Sequence, residues 1–243
     1  MPLSCEDHYR NLHASCGDVL SKSLSEDRTA RLAASHQFIA DLRSWYEAIA
    51  SRPEKVLLLA AISEYQFSLL AVAFGQYRQA YMSLRLSFEL ILGCVYYSAN
   101  EFKLRLWLKG SQDLVWAGLT CPESGVFSEL FVSAFFEELR GSARQYGGIA
   151  EKVYRECSEF VHGNAHTHTE DSGKLTFQEQ TFIDWHEKAA SIKLAASFAL
   201  CARYFHTMEP SQRVALEPVL LDSVGHIPAV RAILGAPVED VDV

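Results

Sequence analysis

Residues 53–98 read PEKVLLLAAISEYQFSLLAVAFGQYRQAYMSLRLSFELILGCVYYS. Pro53 stands where a first helical turn tolerates it, because the N–H it lacks would have no helical partner there. From about Glu54 to Phe74 apolar side chains fall on most sides, as they do in a helix at the centre of a bundle. Gly75 interrupts the pattern. From Tyr77 to Ser98 the residues Leu84, Phe88, Ile91 and Val95 recur at spacings of three and four, the period of one helix face. Nothing here alternates with the period of a strand. Two long helices joined by a tight turn are expected.

The same period extends outward. Upstream, Leu32, Phe38, Ile39, Leu42, Trp45, Tyr46 and Ile49 mark a helix, with Ser23 and Glu26 spaced as a capping box at its start. Residues 1 to about 24 are polar and weakly periodic and read as a short helix or a loose arm. Downstream, Gly110, Gly118, Pro122 and Gly125 break 101–126 into short pieces. A helix is expected from Phe127 to about Tyr146, stopped by Gly147-Gly148, and another from Ile149 to His162, closed by Gly163-Asn164. Residues 163–175 read as a polar loop and Lys174 to Phe177 as a brief extended piece. A long helix follows from Gln178 to Met208, then a proline-containing tail with two short helical stretches and an acidic end. The chain is expected to form one domain, 1–243, with its core in about 28–208, an arm in 1–24 and a tail in 209–243. The fold class is all-α, an up-down bundle of five to six main helices.

Composition narrows the function. A formal charge of -8 does not attract a nucleic-acid duplex broadly, so any such site must be a local basic pocket. The apolar runs Val56 to Ile62 and Leu90 to Tyr97 are short for a bilayer, and the first residues have neither the basic nor the apolar region of a signal peptide. Six cysteines without a Cys-x-x-Cys pair suit reduced thiols in a cytoplasmic protein. There is no Gly-rich phosphate loop, nucleophile elbow or His-Glu-x-x-His motif, and no cofactor is called for.

Chemistry concentrates in Tyr154-Arg155-Glu156-Cys157-Ser158-Glu159-Phe160-Val161-His162-Gly163. On a helical wheel Ile149, Val153, Cys157, Phe160 and Val161 gather on a core side. Glu151, Tyr154, Arg155, Ser158, Glu159 and His162 gather opposite. Arg155 and His162, seven apart, project within about 20° of each other. Arginine can hold a phosphate with two prongs and neutralise charge developing on it. Histidine can move the proton of a ribose 2′-hydroxyl or of the leaving oxygen. Along one helix the two lie roughly 10 Å apart, rather far for one phosphate. A symmetric homodimer would bring one protomer's arginine near its partner's histidine. The plain alternative is a solvated helix face.

Arg155-x6-His162 resembles the Arg-x(4–6)-His motif of the HEPN family (higher eukaryotes and prokaryotes nucleotide-binding). Gly75-Gln76-Tyr77…Ala80…Leu84-Arg85…Phe88-Glu89 is similar to a pattern in bacterial HEPN-like families, and the resemblance covers roughly 55–205. It implies a helical bundle, often dimeric, that cleaves RNA without metal in toxin–antitoxin or antiviral defence systems. Arg155 and His162 would then be catalytic, with Tyr154, Ser158, Glu159, Arg85 and Glu89 in support. Some members are inactive interaction modules. Glu156 stands where active members often carry Asn, Asp or His, which favours the alternative of a non-catalytic subunit that docks a partner protein or antitoxin. Arg78, Arg85, Glu89 and Tyr96 share one helix face, and Arg85 with Glu89 reads either as support for the site or as a polar tie between helices. His162, His166 and His168, with Glu170 and Asp171 behind them, are a weaker zinc-site candidate, since their spacing matches no standard signature.

Overall fold

The computed structural model describes residues 4–161 and 175–235, which are helical with no strand among them. Helix α1 spans Cys5–Ser23, α2 Glu26–Ala48, α3 Lys55–Ala73 and α4 Tyr77–Ser98. Short helices α5 (Glu101–Leu108), α6 (Trp116–Leu119) and α7 (Glu129–Phe135) follow. Then come α8 (Ala143–Ser158), α9 (Glu179–Tyr204), α10 (Pro210–Val224) and α11 (Pro228–Ile233).

Helices α3 and α4 form the expected hairpin. Ser68 donates to the carbonyl of Ala80 and Ser87 to that of Ala61 at 2.8 Å, so the two run antiparallel with small hydroxyls between them. Gly75, at φ +74°, makes the turn in a left-handed conformation that costs glycine nothing. Helix α3 is long and apolar enough to cross a bilayer by length and composition, which the shorter runs read from the sequence did not suggest. More than half of it is buried by its neighbours in the bundle.

Contacts fix the directions of the others. Ser35 meets His186 and Asp41 meets Lys193, so α2 and α9 run the same way. Tyr77 meets Gln178 and Ser98 meets Arg203, so α4 and α9 do too. Arg78 meets Phe160 while Arg85 and Glu89 meet Tyr154, so α8 runs against α4. Thus α2, α3, α4, α8 and α9 alternate in direction around a core that includes Trp45, Tyr65, Phe88 and Trp185, all fully buried. Glu54, just before α3, is 3% exposed and accepts a hydrogen bond from the Tyr204 hydroxyl at 3.1 Å.

Several expectations need correction. Ser23 starts no helix; it ends α1, and its hydroxyl donates to the carbonyls of Val19 and Ala73. The N-terminal segment is a full 19-residue helix. A single helix from Phe127 to Tyr146 does not form. The backbone leaves helical geometry at Phe136 (φ -157°, ψ 84°), whose ring is buried beside Phe205, and a 3-10 segment, Glu137–Ser142, leads into α8. Gly147 and Gly148 lie inside α8 and do not stop it. A Cβ on Gly147 would meet that of Phe127 at 3.2 Å, so the glycine permits close packing. Residues 175–178 are irregular, tied by the Gln178 N–H to the Tyr77 hydroxyl at 2.9 Å. The buried core continues past residue 208 through Leu216, Leu220, Val224 and Val230.

Candidate functional site

The polar strip of α8 meets α4 through one phenol. Tyr154 donates its hydroxyl hydrogen to Glu89 Oε1 at 2.7 Å and accepts one from Arg85 Nη2, while Arg85 and Glu89 approach directly at 3.1 Å. The side chains of Arg85 and Glu89 are 21% and 18% exposed. Trp116 of α6 stacks on the Tyr154 ring, centroids 3.5 Å apart and planes 3° from parallel, and Arg85 Cζ lies 4.5 Å from the same ring centroid. Burial first, and then the bond to Glu89, push the Tyr154 phenol up to about 12, overriding Arg85, so the hydroxyl keeps its proton at neutral pH. The cluster is an internal tie as well as a wall. A shallow groove of about 320 Å³ beside it is lined by Met82, Ser83, Arg85, Leu86, Glu89 and Val161.

The end of α8 is fastened separately. Phe160 stacks on Tyr81 with centroids 3.8 Å apart, and Arg78 donates to the Phe160 carbonyl at 2.9 Å, satisfying an oxygen the helix leaves over. Cys157 is fully buried, and burial raises its thiol to about 12, so it is no nucleophile. Glu156 pairs with Lys188 of α9 at 3.2 Å.

Of the residues chosen from sequence, the fold brings Arg85, Glu89 and Tyr154 together. Ser158 is on the same helix, but its hydroxyl donates to the Tyr154 carbonyl at 2.7 Å, which spends its hydrogen on the backbone. Arg155 and Glu159 are exposed, and among the described residues Arg155 forms no ion pair. Tyr96 belongs elsewhere, accepting from Lys103 Nζ at 2.7 Å. His162, His166 and His168, and Glu170 and Asp171 with them, lie outside the described residues, as does Gly163-Asn164. No group of three or more metal-ligating side chains occurs among the described residues.

Sequence reasoning missed Trp116, Lys188 and the Tyr81–Phe160 stack. A tryptophan in a broken, glycine-containing segment was the one local signal for the first. The other two pairs have no signature, since their partners are distant in the chain. No protein-family model, no curated protein and no solved structure matches this chain.

Proposed function

We propose that this chain is a HEPN-like protein of a bacterial defence or toxin–antitoxin system, and that it cleaves RNA without metal. The observation that supports this reading best is the division of labour between two arginines. Arg85 is neutralised by Glu89 and held by Tyr154, whereas Arg155, one position further on the same helix, is exposed with no ion pair among the described residues. A guanidinium left uncommitted on a helix that is fastened at both Tyr154 and Phe160 is suited to grip a phosphate. His162 would move the proton, and a homodimer would supply the arginine and histidine from opposite protomers.

The test is an RNA-cleavage assay on the purified chain in the presence of chelator, with wild type beside His162→Ala and Arg155→Lys. Wild type is expected to cleave, leaving 2′,3′-cyclic phosphate ends, and both variants are expected to fail. Arg155→Lys fails because a point charge cannot reproduce the two-pronged contact. Light scattering of the same preparation should give a dimer. Activity lost in chelator would move the chemistry to His162, His166 and His168.

One observation favours a second reading. Met82 and Leu86, which line the groove, are 46% and 41% exposed, and Phe67 and Leu70 of α3 are more exposed still. Exposed apolar side chains on α3 and α4, two of them in the groove, also suit a non-catalytic subunit that docks a protein partner. Absence of RNA cleavage and of RNA binding by the wild type would establish that reading over the enzyme.

A further inference from the structure

A second groove, of about 470 Å³, opens between α2, α9 and α10, and shares no lining residue with the α4/α8 cluster. Its volume falls in the range of about 300–1,000 Å³ usual for small-molecule sites. Ala34 and Phe38 of α2, Tyr65 of α3, and Ala189 and Leu194 of α9 give it an apolar floor.

The polar groups of this lining are not all used. His186 is 5% exposed, and its Nδ1 lies 2.7 Å from the Ser35 hydroxyl. Helical serines elsewhere, such as Ser44, Ser63 and Ser191, donate to the carbonyl four residues back. Ser35 makes no such bond, so Nδ1 can take its hydrogen, which would leave the ring's own hydrogen on Nε2. Burial first, and Arg31 second, lower the imidazole to about 4, which keeps the ring neutral. Its Nε2 is buried without a partner, and so is the Ser223 hydroxyl of α10. A buried polar group left unmet destabilises the fold, a cost that a ligand of the right chemistry would remove.

The charges around the groove differ in the same way. Lys193 is fully engaged, 2.8 Å from Asp41 and 2.7 Å from Asp222. Arg31, one helical turn before Ser35, is exposed and has no ion pair among the described residues. Glu187 and Asp222 also line the groove and would repel phosphates and polyacids. One uncommitted guanidinium beside an apolar trough, with carboxylates nearby, selects a ligand of single negative charge.

We infer that the groove between α2, α9 and α10 binds a small apolar monocarboxylate, its carboxylate paired with Arg31 and its hydrocarbon or aromatic body laid on Phe38, Ala189 and Leu194.

Calorimetric titration of the full chain with 3-phenylpropionate, benzoate and octanoate tests this, with 3-phenylpropanamide and inorganic phosphate as comparisons. At least one carboxylate should bind saturably at one site, and 3-phenylpropanamide should bind roughly tenfold more weakly than its acid, the loss of one charge-assisted contact. Arg31→Gln should erase the difference between acid and amide. Ala190→Trp should block both, by filling the groove from an exposed position that the fold does not depend on. The His186 ring nitrogen resonances should shift on saturation. The inference is overturned if none of the three carboxylates binds, if acid and amide bind equally, if phosphate binds more tightly, or if Ala190→Trp leaves binding intact.

Discussion

Truncating Glu89 to alanine removes the acceptor for Tyr154 and the carboxylate facing Arg85 in one step. The two contacts are 2.7 and 3.1 Å long, and neither charged side chain is more than 21% exposed. Arg85 Nε is already buried without a partner, so the guanidinium would keep only the Tyr154 hydroxyl. An exposed ion pair costs under about 1 kcal/mol to break, and stranding one charge of a fully buried pair costs about 3–5 kcal/mol. Partial burial places Glu89→Ala between them, at about 2–3 kcal/mol. A chain of this size loses about 2–4 °C of melting temperature per kcal/mol, so a fall of about 5–10 °C is expected. Tyr154→Phe keeps the Trp116 stack and the direct ion pair while losing both hydroxyl bonds, and should cost about 1–1.5 kcal/mol. Arg85→Met with Glu89→Met together should be milder than Glu89→Ala alone, because no charge is left behind. Thermal melts and urea titrations of the four proteins supply the numbers. A Glu89→Ala change within about 0.5 kcal/mol of wild type, or a double variant more damaging than Glu89→Ala alone, would refute the tie.

Two further outcomes rest on other parts of the molecule. His186 titrates near 6.5 unfolded and near 4 in the fold, so between those values the unfolded chain takes up a proton that the native chain does not. Stability intact above pH 6.5 should therefore fall as pH drops toward 4, by on the order of 2–3 kcal/mol, and His186→Gln should flatten that slope relative to wild type in pH-dependent melts. Gly75→Ala forces alanine to φ +74° and sets its Cβ 3.0 Å from Val19 Cγ1, whereas Gly110→Ala meets only the backbone penalty at φ +65°. The first should cost about 1–2 kcal/mol and the second about 1, and equal melting temperatures would remove the role given to Val19.

The fold was legible where a period of three to four ran through many residues, as in α2 and α4. There the helix and its buried face follow from the same apolar positions. The site was legible only in part. The spacing of Arg85 and Glu89 shows that they can meet, because four residues is one helical turn. It does not show that Tyr154 sits between them, since that contact depends on how α8 crosses α4.

What the sequence determined by itself was therefore local: helix against strand, the turn at Gly75, and the polar strip of α8. Each rests on backbone geometry repeated over a few residues, which side-chain order records directly. Only the tertiary structure decided how far the helices run and what their side chains do. Gly147-Gly148 looked like a stop, yet α8 runs through both, with Phe127 packed against Gly147 where a side chain would crowd it. The break came at Phe136, where burying a ring beside Phe205 outweighs continuing the helix. Trp116 on Tyr154, Lys188 on Glu156 and the groove over His186 join residues 32 to more than 100 positions apart. Such contacts arise from packing between helices, and no periodicity along the chain encodes them.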